Sequence, residues 1–205
     1  MMKETDFYFE ISEKFKKYLL EFLPENSQIE FSCDTFLPKM VAEIEEKLHC
    51  KSQLSEKYIP FLKLDILFGV KVPNEETKFI LFEVKYLNQL ALAEFSQLIG
   101  YLQVAKRIKL GILLLVPKNA NTNVLSNAFA DILLMKELPM KWNMTLKEIS
   151  VESKFEFETG ICSYIPNNGI EWIDTTEVNG IFGFDELAEK IILSSTRRIQ
   201  PESDV

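Results

Sequence analysis

The chain has 205 residues, 47% of them hydrophobic and 26% charged, and a formal net charge of -8. That is enough for one domain with a sizeable core. The acidic balance argues against a general polyanion binder, whose nonspecific affinity comes from Lys and Arg on phosphates, but not against a local basic groove or a metal-bridged phosphate site.

Residues 6–23 are expected to be helical, with Phe9, Phe15, Tyr18, Leu19 and Phe22 spread through them and Pro24 following. This start is acidic and aromatic, unlike a signal peptide. "QIEFSCDTF" (28–36) predicts a strand. "PKMVAEIEEKLHC" opens on Pro38, favoured in a first helical turn, and carries Val41, Ile44 and Leu48 as an apolar stripe. After the linker "KSQLSEK", the run "IPFLKLDILFGV" (59–70) predicts a strand. The turn "PNEET" (73–77) should join it to "KFILFEVKYL" as an antiparallel hairpin. Residues 88–109 predict a long helix capped by Asn88, and "LGILLLVP" a fully buried strand.

Beyond Pro117 the expected elements are a helix over 122–137, strands in "FEFETGICSYI" and "GIEWIDTTEV", and a closing helix in "DELAEKIILSSTRRI". Residues 199–205 read as a frayed tail. The longest apolar run, "GILLLVP", is too short to span a bilayer. The reading is a single domain: a core over roughly 36–117, an N-terminal helix over 6–23 and a C-terminal α+β extension over 118–198.

Cys33, Cys50 and Cys162 are scattered, odd in number and without CxxC spacing, so neither a disulfide framework nor a zinc knuckle is expected, and a reducing cytoplasm is the default location. The one histidine, His49, leaves no His-rich metal site or HExxH motif, and a Ser-His-Asp triad would have to use it. Catalysis, if present, should run on carboxylates, lysine and a hard metal ion.

Three polar points interrupt the apolar core elements. Asp65 lies in "FLKLDILFG", Glu83 and Lys85 in "LFEVK", and Gln97 and Tyr101 in "SQLIGY". Glu83 and Lys85 are two apart and share a strand face. A buried ion pair is often no better for stability than hydrophobic residues, so stability alone is a weak reason for it. Gln97 and Tyr101 share a helix face with Glu94. The hairpin can bring Asp65 beside Glu83 and Lys85. Two carboxylates and the Val84 backbone carbonyl make an oxygen-rich site suited to Mg²⁺, with Mn²⁺ as a possible substitute. Such a metal would polarise a phosphodiester, and Lys85 could orient water or stabilise charge on phosphate.

The pattern D-(17 residues)-E-V-K followed by Q-x-x-x-Y resembles the PD-(D/E)XK nuclease superfamily, which includes restriction endonucleases and RecB-like nucleases. The resemblance covers roughly residues 36–117. It implies an α/β fold with a restriction-endonuclease-like core, a central mixed β-sheet flanked by helices. It implies Asp65 and Glu83 as metal ligands and Lys85 as catalytic lysine. Gln97 and Tyr101 would support the site or contact the nucleic-acid strand, as in the RecB-like branch. The proline that often precedes the aspartate is replaced by Leu64. Many members carry a glutamate on the helix before the hairpin. Glu45, which flanks the apolar stripe, is the first candidate for it, and Glu10 is its rival.

Lys106, Arg107 and Lys109 follow the long helix and are candidate substrate contacts, although cations at a helix C-terminus have an ordinary explanation. Arg197 and Arg198 read as solvated. No aromatic-plus-basic pattern in the sequence marks a single-strand stacking platform. The resulting expectation is a Mg²⁺-dependent nuclease acting on DNA in restriction, phage defence, or recombination and repair, as a homodimer or a subunit of a larger complex. A catalytically inactive nuclease-fold module for binding or assembly is the alternative.

Overall fold

The computed structural model describes residues 2–54, 59–119, 123–134, 157–173 and 181–196. A 3₁₀ turn, Glu4–Phe7, leads into α1 (Tyr8–Leu20). Then follow β1 (Gln28–Phe36), α2 (Leu37–Lys47), β2 (Lys63–Lys71), β3 (Lys78–Leu87), α3 (Leu92–Val104) and β4 (Leu110–Pro117). The remaining elements are α4 (Asn127–Leu134), β5 (Glu158–Ile165), β6 (Gly169–Ile173) and α5 (Phe184–Thr196). The chain is an α/β protein whose six strands form one sheet in the order β1-β2-β3-β4-β5-β6. The pairs β3/β4 and β4/β5 are parallel and the rest antiparallel, so the sheet is mixed.

Helices cover both faces. On one face Ile80, Phe82 and Val84 of β3 join Ile66 and Phe68 of β2, with Phe15 of α1 and Leu187 of α5 above them. The Phe15 ring lies 4.7 Å from that of Phe68 and 4.6 Å from that of Phe82. On the other face Leu67, Leu81 and Leu113 pack under Ile44 of α2 and Leu98 of α3. Gly69 lets α2 close on β2, since a Cβ there would collide with Ile44. β4 is buried along nearly its whole length, which explains its unbroken apolar run.

The helix-strand-strand-helix-strand order of the middle of the chain is as expected, and β1, β3 and β4 begin and end where the sequence places them. Two elements of this unit differ most. The strand expected from residue 59 starts at Lys63, because "IPFL" stays outside the ladder. The helix expected over 88–109 occupies only Leu92–Val104. Asn88 is not its cap: the Ala91 N–H donates to the Glu94 carboxylate at 2.8 Å. The chain just before that cap is tied elsewhere, since Leu90 bridges to Leu125 and its N–H donates to the Val124 carbonyl at 2.8 Å. Arg197, Arg198, the tail 199–205 and, of the expected 122–137 helix, residues 122 and 135–137 lie outside the described residues; the rest of that helix is shorter than expected, Asn127–Leu134. No helix among the described residues is long and apolar enough to cross a membrane.

Candidate active site

The site forms where β2 leaves β3. The two strands pair from Val70↔Lys78 to Ile66↔Phe82, and the register stops there. One residue further on, the Asp65 side chain takes over the missing ladder position. Its Oδ2 accepts the Val84 N–H at 2.8 Å. Two residues along β3, Glu4 does the same and accepts the Tyr86 N–H at 2.8 Å. The Tyr8 hydroxyl joins the two carboxylates, 2.7 Å from Asp65 Oδ1 and 3.3 Å from Glu4 Oε1. Two acids and a phenol thus replace a strand at this edge. The N–H and C=O of one strand residue leave toward the same neighbour. The Val84 carbonyl therefore faces the gap that Asp65 borders.

Side-chain alternation sends Glu83 and Lys85 to the face of Leu81, under α2 and α3. Glu83 is 2% exposed, and its Oε1 accepts a hydrogen bond from Lys85 Nζ. Burial pushes the Glu83 carboxyl up to about 7, helped by the Asp65 and Glu4 charges and opposed by Lys85. Burial pulls Lys85 down, but Glu83, Asp65 and Glu4 outweigh it and hold the ammonium above its ordinary range. Lys85 therefore stays a cation. Tyr8 is pushed far up by burial and by the charges of Asp65 and Glu4, so it remains a hydrogen-bond donor.

These shifts carry a sign for stability. Glu83 titrates near 7 when folded, against an ordinary value of 4.5. Between those values the folded state keeps a proton that the unfolded chain sheds, so stability falls as pH rises. The contribution is fully present below 4.5 and is lost as the pH passes through 7. In metal-free buffer, Glu83→Gln should therefore gain on the wild type by about 1–3 kcal/mol between about pH 4.5 and pH 8. Urea unfolding of both proteins across that range checks it, and a pH-independent difference would contradict it.

The other expected residues are placed as follows. Glu45 is not brought to this cluster: it is 9% exposed, and its Oε1 accepts both the backbone N–H of Ser52 at 2.7 Å and the Ser52 hydroxyl at 2.5 Å. It secures the turn after α2. Glu10 is exposed on α1 and pairs with Lys14 at 3.4 Å. The carboxylate that does reach the cluster is Glu4, which sequence reasoning missed because its contact with Tyr86 crosses 82 positions. Gln97 Nε2 donates to the Tyr101 hydroxyl at 2.9 Å on α3, above the face that holds Lys85.

Lys106, Arg107 and Lys109 lie at the opposite end of β3. Ile80 is level with Leu110, whereas Lys85 is level with Leu115. The five-residue offset corresponds to roughly 16 Å. Arg107 is bonded to the Gln53 carbonyl. Cations near the site end include Lys118, 5.3 Å from the Tyr86 ring centroid, and Lys63, close enough to Asp65 to feel its charge.

Among the described residues, no three His, Cys, Asp or Glu side chains gather closely enough to enclose a metal ion by themselves. Mg²⁺ does not need such a cage, since it takes one or two carboxylates and keeps several waters. Asp65 and Glu83 supply two hard carboxylates whose mutual repulsion raises Glu83. Asp65 accepts two hydrogen bonds, and a carboxylate has about four lone-pair positions. The residues fit a hydrated Mg²⁺. The sequence matches no protein-family model and no curated protein.

Proposed function

We propose that the chain is a metal-dependent nuclease with a restriction-endonuclease-like core, hydrolysing phosphodiester bonds in DNA. It would be related to the PD-(D/E)XK superfamily. The observation that carries this reading is the convergence of Asp65, Glu83 and Lys85 where β2 departs from β3. Asp65 and Glu83, with the Val84 carbonyl, would hold Mg²⁺ or Mn²⁺. Bound there, the metal would supply Lewis-acid polarisation of the phosphate and a more acidic water.

The chain's own residues do the positioning. Asp65 is fixed by Tyr8 and Val84 before any substrate arrives. Lys85, partly exposed and cationic, is placed to hold a water or offset charge growing on a phosphate oxygen. Its bond to Glu83 keeps it aimed along the same face. Gln97 and Tyr101 offer polar contacts to a strand lying along α3.

The test is incubation of the purified protein with linear, circular and single-stranded DNA, and with RNA, in Mg²⁺ or Mn²⁺. Metal-dependent cleavage of at least one DNA form, stopped by a chelator, is the expected result. Cleavage of none of them in either metal would overturn the proposal and favour the inactive binding module, which the net charge of -8 suits.

A further inference from the structure

Phe36 and Phe61 are 25 positions apart in sequence but stack on each other, with ring centroids 4.0 Å apart and planes 18° from parallel. Both remain open to solvent: Phe36 is 39% exposed and Phe61 70% exposed. Single exposed apolar residues are ordinary and ask for no explanation. A stacked, exposed pair is different, because one ring already holds the other in place and a flat face is left unused.

The location gives the pair a purpose. Phe36 ends β1 and is level with Lys63, the first residue of β2. Asp65 lies two residues further along β2, about 7 Å away. Lys63 bonds to Asp34 at 2.8 Å, but both side chains are about half exposed or more. An exposed ion pair of this kind contributes little and exchanges readily for another anion. A flat aromatic face, an exchangeable cation and the proposed hydrolytic centre therefore follow one another along the start of β2. That order of aromatic face, cation and hydrolytic centre suits a base followed by successive phosphates of one nucleic-acid strand.

We infer that the Phe36–Phe61 pair is a stacking platform for an unpaired nucleobase next to the phosphate held at Asp65, Glu83 and Lys85. The inference rests on the nuclease reading and narrows its substrate to DNA with unpaired bases: single strands, frayed ends or flaps. Inside a fully paired duplex every base face is already stacked and none is free for this platform. Stacking of a base on an aromatic ring is tolerant of sequence, so the platform selects strand state rather than base identity.

The test uses short DNA strands with 2-aminopurine at single positions, alone or annealed, in Ca²⁺ to allow binding. The proteins are the wild type, Phe61→Ala, Phe61→Trp and Phe9→Ala. Phe9 is 69% exposed but packs on Phe31, five positions back along β1 from Phe36, and serves as the control. The expected result is quenching at an unpaired position, lost in Phe61→Ala together with at least about tenfold in affinity for the single strand. Phe61→Trp should keep the quenching and Phe9→Ala should match the wild type.

If Phe61→Ala binds single strands as tightly as wild type, the platform is overturned even where cleavage in Mg²⁺ persists. If Phe61→Ala changes only the sedimentation of the protein, the pair is a self-association surface and the platform is likewise overturned. Phe61-dependent quenching without cleavage in Mg²⁺ or Mn²⁺ would keep the platform and remove the hydrolytic reading. Absence of binding to every strand would overturn the platform, while cleavage in Mg²⁺ or Mn²⁺ decides the hydrolytic reading separately.

Discussion

Asp65→Ala is expected to abolish metal-dependent cleavage and to cost about 2–4 kcal/mol of folding stability. Two effects combine. The proposed metal would lose one of its two carboxylates. The Val84 N–H also loses its acceptor and the Tyr8 hydroxyl keeps only its longer bond to Glu4, although Val84 is fully buried and Tyr8 is 4% exposed. A buried donor left without a partner costs about 1–3 kcal/mol. Relief of repulsion against Glu83 and Glu4 works in the opposite direction, but those charges are already moderated by Lys85 and by the Tyr86 N–H. The unpaired Val84 N–H and the weakened Tyr8 bond should dominate. Urea unfolding measures the loss, and a variant as stable as wild type would show that Asp65 does not hold this strand edge. Asp65→Asn should be milder in stability, since an amide oxygen can still accept one bond, yet equally inactive.

Lys85→Ala should reduce cleavage by about 10²- to 10⁴-fold while leaving the fold intact. The side chain is partly exposed, and its one described polar partner is Glu83. Its removal leaves Glu83 without a counter-charge, which should favour the protonated carboxyl further and weaken metal binding near neutral pH. The two consequences separate experimentally. Calcium-induced thermal stabilisation should return in the variant as the pH is raised, whereas cleavage should not return. Cleavage that survives Lys85→Ala would sink the site assignment. Lys85→Arg restores charge but not the compact ammonium, and should recover only part of the rate.

Much of the architecture was legible locally. β3 and β4 are apolar runs bounded by Pro or turn residues, and their limits follow from those boundaries. The shared face of Glu83 and Lys85 follows from strand periodicity alone, and the hairpin does carry Asp65 to β3. What local patterns could not reveal depends on distant partners. The start of α3 is set partly by Leu90 bridging to Leu125, so Asn88 could look like a cap without being one. Glu45 borders an apolar stripe, which gives no hint that Ser52 would claim its carboxylate. Glu4 has no periodic context, and only the packing of the first turn against β3 brings it to Tyr86. The aromatic pair at Phe36 and Phe61 was hidden for the same reason: Phe61 and Lys63 are neighbours in sequence, but only the pairing of β1 with β2 brings Phe36 beside them.

The two carboxylates that stand in for a strand have a consequence for how the site comes into being. The Tyr8–Asp65 bond spans 57 positions and the Glu4–Tyr86 bond 82. Loop-closure entropy must be met before such distant contacts reward it. β3 also lacks its parallel neighbour until Leu110–Pro117 has been made. A chain still emerging from the ribosome can therefore carry Glu4, Asp65, Glu83 and Lys85 without their being assembled. The same long connections would keep the proposed hydrolytic centre unbuilt during synthesis.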